Sequence, residues 1–578
     1  MMTATNWPTK QWPENVALDI DKDPMPLFSA LDRAARDYPH QVYTIFNGAS
    51  RTYAQVRDAA DRLANFLTSH GIEKGDRVAV SLPNTAQFPI IFFGILKAGA
   101  VCVNCNPLYT SQELHYQLND AGAKAIFCMD HPEQYPTTVE AIKDTAVNKV
   151  VICNIKSSLP KLKAILQSLK GKIPQAEQHE PDHLFFDQIV EAASPEPPEI
   201  EINPFEDLAV IFYSAGTTGM PKGAALTHSN LTYDLKALEE WARLRHEPGG
   251  PLEPLRKGGF HTYLGIIPWY QSFGMTVCML AACWSASRLI CLPDARAGNP
   301  PFTDALWTIE KTKATIMPAV PTLFSCFNNH PRIDEFDLTS LMGCFSGGAP
   351  LPSEVCRQFE AKTGAVIYEG YGLSETGPVA TSNPTTRSGR KIGTVGFPLP
   401  GTDVKILDMD TGLHEMPAGS DGEIAICGPQ VMKGYWNRPE ETQSVFREFD
   451  GRQYFLTGDI GHIDEEGYLL ITDRKKDLII VGGFNVYPKE IENTLFNHPK
   501  IEMAAVVGVP DSESGEAIKA YVQLQQGETV SEAEIQAFCK EHLAAFKCPK
   551  TIEFRDSMPI SPGGKLLRRQ FRGDGPLS

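Results

Sequence analysis

Long apolar runs are scarce in this sequence of 578 residues. Its two most apolar stretches are FPIIFFGILKAGAVCV and GMTVCMLAACWSAS, and each is too short or carries a charge, so we expect no transmembrane helix. The N-terminal stretch has no basic region followed by an apolar one and therefore lacks the pattern of a secretory signal peptide. These absences predict a cytoplasmic protein.

Excess positive charge and clustered cysteines are missing as well. The net charge of −17 argues against a general nucleic-acid-binding protein. The 13 cysteines are scattered, and the only CxxC pattern, from Cys102 to Cys105, lies in an apolar strand-like stretch. Buried small side chains are therefore favoured there over a metal or redox site, and a reducing compartment is expected.

Helix and strand patterns alternate over the first part of the chain. The stretch TYAQVRDAADRLANFLTSHG predicts a helix with Thr52 as its N-cap and Gly71 at its end. Two buried strands, RVAVSLP and AVCVNC, flank a buried helical stretch. Short apolar strands separated by helices indicate parallel sheets covered on both faces, so we expect an α/β fold with doubly wound sheets.

The pattern changes after residue 390. Gly, Pro and Asp become dense between short alternating runs, which predicts a small β-barrel-like subdomain near 390–470. A helix–strand–strand–helix pattern then predicts a small α+β domain. We therefore divide the chain into a large N-terminal domain, residues 1–472, and a C-terminal domain, residues 473–578.

The stretch YSAGTTGMPKG, residues 213–223, has the composition of a phosphate-binding loop. Glycines let backbone N–H groups approach a ligand, hydroxyls add donors, and Lys222 adds a compact positive charge. A Walker A loop ends in Gly-Lys-Ser/Thr, whereas Lys222 here stands between Pro221 and Gly223. The stretch therefore predicts a polyphosphate loop of another kind.

Four further stretches carry groups suited to a nucleotide. They are YEGYGLSETGP with Tyr371 and Glu375, YFLTGDIG with Asp459 on an expected tight turn, ITDRKKDLIIVGGFNVYP with Arg474, and ISPGGKLLRRQFR with Lys565. Alone, each is more typical of an ordinary turn or a solvated charged segment. Together with the loop they favour a nucleotide-binding enzyme.

These five stretches, in this order, resemble the motifs of the adenylate-forming superfamily: acyl-CoA synthetases, luciferases and peptide-synthetase adenylation domains. The resemblance covers nearly the whole chain and is strongest to bacterial long-chain fatty-acid–CoA ligases. It implies ATP and CoA as co-substrates and Mg²⁺ as cofactor. A carboxylic acid would attack the α-phosphorus of ATP to give an acyl-adenylate and pyrophosphate, and the CoA thiol would then displace AMP.

The resemblance also implies a role for each motif residue. Tyr371 would stack on adenine, Asp459 and Arg474 would bind the ribose, and Glu375 would hold Mg²⁺ together with Thr218. Besides Thr218, Tyr371, Asp459 and Arg474, the residues expected around ATP are Ser214, Ala215, Gly216, Thr217, Gly219, Lys222, Gly347, Gly348, Ala349, Pro350, Gly372, Ser374 and Lys565. The expected catalytic residues are Lys565, Glu375 and Gln271.

A mobile C-terminal domain is the family's way of using one site for two reactions. The resemblance implies rotation about a hinge at Asp473, with Lys476 beside it. One face would present Lys565 for adenylation. The other would present the CoA path, which we expect at Gly482, Gly483 and Phe484.

The acyl pocket is expected within IIPWYQSFGMT, at Trp269, Tyr270, Gln271 and Phe273. The family usually has an aromatic residue followed by histidine near Tyr270 and Gln271, so the gating role does not carry over directly. The stretch has no aspartate for a substrate ammonium, which argues against an amino acid. The predicted substrate is a long-chain fatty acid, and a medium-chain, aryl or alicyclic acid is the alternative. An acyl-AMP ligase that loads a carrier protein is a further alternative, although no carrier domain is attached.

The segment IKSSLPKLKAILQSLKGKIP, residues 155–174, has five lysines and no acidic residue. Leu159, Leu162, Ile165, Leu166 and Leu169 should share one helical face. In an acidic protein this predicts an interfacial helix that contacts an anionic membrane on its inner, cytoplasmic face. The pattern fits at least as well a surface helix that packs on its own domain.

Overall fold

The structure is a computed structural model. It describes residues 12–13, 16–21, 23–169, 173–214, 220–242, 260–481, 484–511, 515–525, 527–559 and 568–571. No helix of these residues is both long and apolar enough to cross a membrane.

The α-helices are spread over the whole chain. In chain order they are α1 (Ser29–Asp37), α2 (Tyr53–Ser69), α3 (Gln87–Lys97), α4 (Ser111–Ala121), α5 (Gln134–Ala141), α6 (Lys161–Leu169), α7 (Phe186–Ala192), α8 (His228–Ala242), α9 (Ala281–Trp284), α10 (Thr303–Thr312), α11 (Pro321–Asn328), α12 (Ser353–Thr363), α13 (Pro439–Val445), α14 (Pro488–Phe496) and α15 (Glu532–His542).

The strands of the large N-terminal part come first. They are β1 (Val42–Phe46), β2 (Ala49–Thr52), β3 (Arg77–Ser81), β4 (Val101–Asn104), β5 (Ala123–Met129), β6 (Lys149–Cys153), β7 (Leu184–Phe185), β8 (Leu208–Ser214), β9 (Lys222–Thr227), β10 (Thr262–Gly265), β11 (Arg288–Cys291), β12 (Ile316–Ala319), β13 (Gly343–Ser346), β14 (Val366–Gly372), β15 (Val379–Ser382) and β16 (Phe397–Pro398).

The remaining strands are longer on average. They are β17 (Asp403–Leu407), β18 (Gly422–Cys427), β19 (Gly434–Tyr435), β20 (Phe446–Phe449), β21 (Arg452–Ile463), β22 (Leu469–Arg474), β23 (Ile479–Val481), β24 (Phe484–Val486), β25 (Ile501–Asp511), β26 (Gly515–Leu524) and β27 (Thr551–Phe554).

Two large mixed sheets form the body of the molecule. One has the order β16-β15-β14-β13-β12-β10-β11-β1-β2 and the other β19-β9-β8-β4-β3-β5-β6-β7. Their inner strands run parallel, as in β3 with β4 and β5, and antiparallel pairs occur towards the edges, as in β8 with β9. This confirms the predicted α/β class.

Local signals in the sequence explain where the helices begin. Thr52 caps α2, because its hydroxyl accepts a hydrogen bond from the Gln55 N–H while the Gln55 side chain accepts one from the Thr52 N–H. The helix then ends at Ser69, two residues before the expected Gly71. Every residue of α3 is buried, so this apolar helix lies inside the protein.

Two smaller sheets follow. Strands β17, β18, β20, β21 and β22 form a half-barrel, and β23 to β27 form the sheet of the small C-terminal α/β domain. Strand β22 ends at Arg474, one residue beyond the predicted boundary at Asp473. Cys102 and Cys105 are both buried, with pKa values raised by burial, as for small side chains in a core.

The expected interfacial segment contains a shorter helix than its apolar spacing suggested. Residues Ile155–Ser158 form a 3₁₀ turn, and α6 begins only after Pro160. The prediction that Leu159 shares the face of Leu162 is wrong, because Leu159 precedes the helix and is buried in the main core. Proline suits the start of a helix but interrupts the periodic pattern that we extended across it.

Candidate active site

Strands β8 and β9 bring the two sides of the predicted phosphate loop together. Ser214 at the end of β8 pairs with Lys222 at the start of β9, and Tyr213 pairs with Gly223 in the same antiparallel ladder. The loop is therefore carried by two rigid strand ends. Its expected residues Ala215, Gly216, Thr217, Thr218 and Gly219 lie outside the described residues.

Glu375 lies beside the ends of this loop. It belongs to a 3₁₀ turn, Ser374–Thr376, that follows β14, and it is only 6% exposed. Its Oε1 accepts a hydrogen bond from the Tyr435 hydroxyl at 2.9 Å and a longer one from Ser214 Oγ at 3.4 Å. The Lys222 Nζ lies 5.5 Å from the centre of the Tyr435 ring. The predicted residues Ser214, Lys222 and Glu375 thus lie close to one another and to Tyr435.

Asp459 forms a second buried cluster. Its Oδ2 accepts from the Tyr371 hydroxyl at 2.7 Å, and its Oδ1 lies 2.8 Å from Arg474 Nε. The register between β21 and β22 sets Asp459 directly opposite Arg474. Burial and the Asp459 carboxylate raise the pKa of Tyr371, and the same carboxylate raises the pKa of Arg474, so both groups stay proton donors.

The prediction that Asp459 lies on a tight turn is wrong. The residue lies inside the 12-residue strand β21. Its neighbour Gly458 has a φ of +70°, and the register shifts between Ile460 and Gly461. Such an irregularity gives a strand the glycine-rich signature of a turn while it re-aims one side chain.

Gly347, Gly348, Ala349 and Pro350, which are expected around ATP, follow the end of β13. Parallel pairing of β13 with β14 brings Gly347 and the Tyr371–Gly372 segment to the same edge of the sheet. A Cβ on Gly347 would lie 3.2 Å from Phe273, and one on Gly372 would lie 1.6 Å from the Pro378 carbonyl oxygen. Only glycine fits at position 372, where the backbone of β15 passes this closely.

The predicted acyl stretch runs from the end of β10 into a π-helical turn, Gly274–Leu280, that is buried throughout. The ring of Phe273 lies beside Gly347, as described above. Ser272 Oγ lies 3.2 Å from Ser374 Oγ. Trp269 is fully buried and packs edge-to-face on Phe88.

Tyr270 and Gln271 are half-buried beside this turn. Burial raises the pKa of the Tyr270 hydroxyl, which keeps it neutral. Gln271 joins the turn through its backbone, because its carbonyl accepts from the Met275 N–H at 2.9 Å. Its side chain carries no charge that could meet a carboxylate.

Asp473 connects the half-barrel to the C-terminal domain. Its carboxylate accepts a hydrogen bond from the Lys489 N–H in the first turn of α14 and another from the Arg474 N–H, both at 2.8 Å. Lys489 Nζ donates to the Ile471 carbonyl. Lys476 is exposed in the turn that follows β22.

Three predicted residues of the C-terminal domain lie outside the described residues: Gly482, Gly483 and Lys565. Phe484 opens strand β24, next to the two glycines. Tyr435 contacts Glu375 but is not among the residues that the sequence predicted. The stretch GYWNRPEET around it, with an aromatic pair between glycine and proline, is the signal that could have indicated it.

Two family models match the chain. The model described as AMP-binding enzyme matches residues 31–436, and that described as AMP-binding enzyme C-terminal domain matches residues 490–565. The chain belongs to the AMP-binding enzyme family. Within this family it is an adenylate-forming acid–CoA ligase, an enzyme that uses ATP and releases AMP.

Three relatives illustrate the breadth of the match. A long-chain-fatty-acid–CoA ligase from Bacillus subtilis (strain 168) is 38% identical over 571 residues, which cover 97% of this chain and 96% of that protein. A feruloyl-CoA synthase from Amycolatopsis sp. is 32% identical, covering 93% and 97%. The ATP-bound crystal structure of MatB from Rhodopseudomonas palustris superposes with a TM-score of 0.79 at 31% identity, covering 95% and 99%.

The described side chains of this AMP-binding enzyme suit Mg²⁺. Both hydrogen bonds that Glu375 accepts from described side chains go to Oε1, which leaves Oε2 for a hard cation. No cluster of three or more His, Cys, Asp or Glu within the described residues could hold a metal alone. Mg²⁺ beside nucleotides is commonly bound by one or two protein carboxylates together with phosphate oxygens, and Glu375 would be such a carboxylate.

Proposed function

We propose that this enzyme activates long-chain fatty acids. The carrying observation is the acyl stretch, residues 266–280, which has no charged side chain and ends in a fully buried π-helical turn. A pocket that holds an alkyl chain gains free energy from apolar area removed from water and needs no counter-charge along its length. The relative named long-chain-fatty-acid–CoA ligase is also more similar than the one named for an aryl acid.

For the adenylation step we assign the two clusters to the two ends of ATP. Ser214, Lys222 and the loop between them would bind the β- and γ-phosphates, with Glu375 holding Mg²⁺. The ion supplies positive charge that neutralises the phosphate oxygens as pyrophosphate departs. Gly347–Pro350 and the ring of Tyr371 would enclose adenine.

Asp459 is suited to the ribose. An ionised carboxylate offers about four lone-pair sites, and Tyr371 and Arg474 occupy one on each oxygen. Within the described part of the chain, one site on each oxygen is left for the two ribose hydroxyls. Arg474 Nε lies 2.8 Å from Asp459 Oδ1 and so holds this oxygen in place.

Lys565 is our candidate for the cation between the attacking carboxylate and the α-phosphate, where negative charge concentrates. A lysine suits this as a point charge on a flexible stem. We propose that the C-terminal domain turns about Asp473 after adenylation and brings Gly482, Gly483 and Phe484 to the acyl-adenylate. Rotation of this kind would act on the hydrogen bond between the Asp473 carboxylate and the Lys489 N–H of α14.

An acid panel tests the substrate class. Pyrophosphate release from ATP–Mg²⁺ is measured with acids from acetate to oleate, with benzoate and with cyclohexanecarboxylate, each with and without CoA. We expect CoA-dependent turnover that is fastest with long chains. A maximum at a ring acid or a short chain would contradict the substrate assignment, and adenylate that CoA never discharges would indicate a carrier-loading enzyme.

We further propose that α6 contacts the inner face of an anionic membrane. Leu162, Ile165 and Leu166 are 71%, 55% and 48% exposed. Three neighbouring exposed aliphatic side chains, within a segment of five lysines and no acid, match an interfacial helix. The rest of this acidic protein would be repelled by the same surface.

Asp130 contacts the chain on both sides of the segment that contains α6. Its carboxylate, 2% exposed, accepts hydrogen bonds from Asn154 Nδ2 on one side and from the Ala176 N–H and His179 Nε2 on the other. The segment therefore leaves and re-enters the domain at one point, which orients α6 before any lipid is met.

Vesicle sedimentation tests the membrane contact. We expect the protein to pellet with vesicles of phosphatidylglycerol and phosphatidylcholine but not with phosphatidylcholine alone. Replacing Leu162, Ile165 and Leu166 by Ser should weaken binding by about a hundredfold or more, since each buried aliphatic side chain contributes about 1 kcal/mol or more. Leu108→Ser with Leu413→Ser is the control, because these leucines are 67% and 53% exposed elsewhere. Equal binding by both variants would refute the assignment.

A further inference from the structure

One face of α4 holds both flanks of the phosphate loop. The Tyr116 hydroxyl donates to the Pro221 carbonyl at 3.0 Å, and the Asp120 Oδ2 accepts from the Tyr213 hydroxyl at 2.7 Å. Tyr213 directly precedes Ser214, and Pro221 directly precedes Lys222. Residues four apart lie on the same side of a helix, so a single element contacts the chain where it enters the loop and where it leaves.

Arg438 is the third member of this group. Its Nη2 lies 2.5 Å from Asp120 Oδ1, and the Asp120 side chain is only 9% exposed. The Asp120 carboxylate raises the pKa of Arg438, and burial together with Asp120 raises the pKa of Tyr213. Asp120 therefore accepts one bond from a permanent cation and one from a neutral hydroxyl, using both of its oxygens.

The segment that provides Arg438 also contacts the loop's second strand. Tyr435 pairs with Ala224 between β19 and β9, and the Trp436 N–H donates to the Gly223 carbonyl at 2.7 Å. This is the same segment whose Tyr435 hydroxyl meets Glu375. Asp120 thus ties α4, the phosphate-loop strands and the neighbour of the metal-binding carboxylate into one hydrogen-bonded frame.

We propose that Asp120 is a positioning residue for the β- and γ-phosphates of ATP. It touches no substrate, and it acts by fixing Tyr213 and Arg438 so that Ser214 and Lys222 keep their spacing when ATP binds. The inference rests on the proposed assignment of the loop to these phosphates. Small displacements of such groups are costly because charge-assisted bonds to phosphate depend on geometry.

The half-barrel offers a matched control. Asp403, with a 6% exposed side chain, lies 2.6 Å from Arg452 Nη1 and accepts from the Tyr454 hydroxyl at 2.7 Å. This cluster has the same composition and burial as Asp120 with Arg438 and Tyr213, but its contacts stay within the half-barrel strands. Asp→Asn at either site removes the same charge next to the same kinds of partner.

The test compares nucleotides that differ only in the phosphates at issue. Dissociation constants for Mg²⁺–ATP and for AMP are measured by titration calorimetry, without acid or CoA, for wild type, Asp120→Asn and Asp403→Asn. We expect Asp120→Asn to raise the constant for ATP about tenfold and that for AMP less than about twofold. Asp403→Asn should leave both within about twofold, even where thermal unfolding shows an equal loss of stability.

Tyr213→Phe keeps the Asp120–Arg438 pair and removes one hydroxyl, so it replaces Asp120→Asn if that variant does not fold. The same selective loss for ATP is expected from it. An equal loss for ATP and AMP, or a loss no larger than in Asp403→Asn, would overturn the inference. Wild-type protein that binds ATP no more tightly than AMP would instead refute the loop assignment, and this inference with it.

Discussion

Asp459→Asn is the sharpest perturbation of the proposed ribose site. The carboxylate is 3% exposed and bonds to Tyr371 and Arg474. Asparagine keeps the shape of the side chain and an acceptor for Tyr371, and the Arg474 side chain is 42% exposed, so water can hydrate its guanidinium once the charged partner is lost. The variant should therefore stay folded, and its effect on ATP can be measured.

The expected effect on ATP follows from the change of acceptor. Hydrogen bonds to a charged group contribute about 1.5–3 kcal/mol, against about 0.5–1.5 kcal/mol for neutral pairs. The amide keeps one carbonyl acceptor, so we expect a loss of about 1–2 kcal/mol, which is about 5- to 30-fold in the dissociation constant of ATP.

A modified nucleotide separates the ribose contact from a general disturbance. Dissociation constants of ATP and of 2′,3′-dideoxy-ATP are measured for wild type and Asp459→Asn by titration calorimetry. The penalty should fall to less than about twofold with the dideoxy nucleotide, because it has no hydroxyl for Asp459 to accept from. A penalty of the same size with both nucleotides would refute the assignment.

Two further changes address the other parts of the site, and a third addresses Glu369, a buried residue of β14. Lys565→Ala should abolish adenylate formation, measured as acid-dependent ATP–pyrophosphate exchange, but leave CoA-dependent thiolysis of supplied acyl-adenylate largely intact, and equal loss of both would exclude the assigned role. Tyr435→Phe removes a hydrogen bond to Glu375 and should raise the Mg²⁺ concentration for half-maximal rate by about three- to tenfold, whereas an unchanged Mg²⁺ profile would contradict the metal assignment. Burial raises the pKa of Glu369 to about 7 from an ordinary value of 4.5. The folded protein therefore keeps a proton that the unfolded chain releases in this range, so stability is lost as pH rises from about 4.5 to about 7. The unfolding free energy of wild type minus that of Glu369→Gln should fall across this window, and a flat difference in urea titrations would speak against it.

Most of the fold and the motif residues could be predicted from local sequence patterns. The capping box at Thr52 and the apolar strand β4 follow from short-range propensity and burial, which a single sequence shows directly. Glu375 and Asp459 could be named because each lies in a short stretch with an unusual mixture of glycine and polar groups.

The contacts that complete the site could not be predicted from local pattern. Arg438 and Asp120 are 318 residues apart in sequence, and Tyr435 and Glu375 are 60 apart. Such pairs depend on how sheets and helices assemble, so the sequence near one partner does not indicate which distant residue it contacts. The error at Leu159 has the opposite origin, since a helical repeat was extended across Pro160, where the backbone is still non-helical.

The central claim is that the acid becomes bonded to AMP before CoA takes it. Oleate labelled with oxygen-18 in both carboxylate oxygens tests this directly, with ATP, Mg²⁺ and CoA and with mass analysis of the nucleotide product. If the carboxylate attacks the α-phosphorus and CoA then displaces AMP, one labelled oxygen must appear in AMP and one must remain in oleoyl-CoA. Unlabelled AMP, or ADP as the product, would contradict the account.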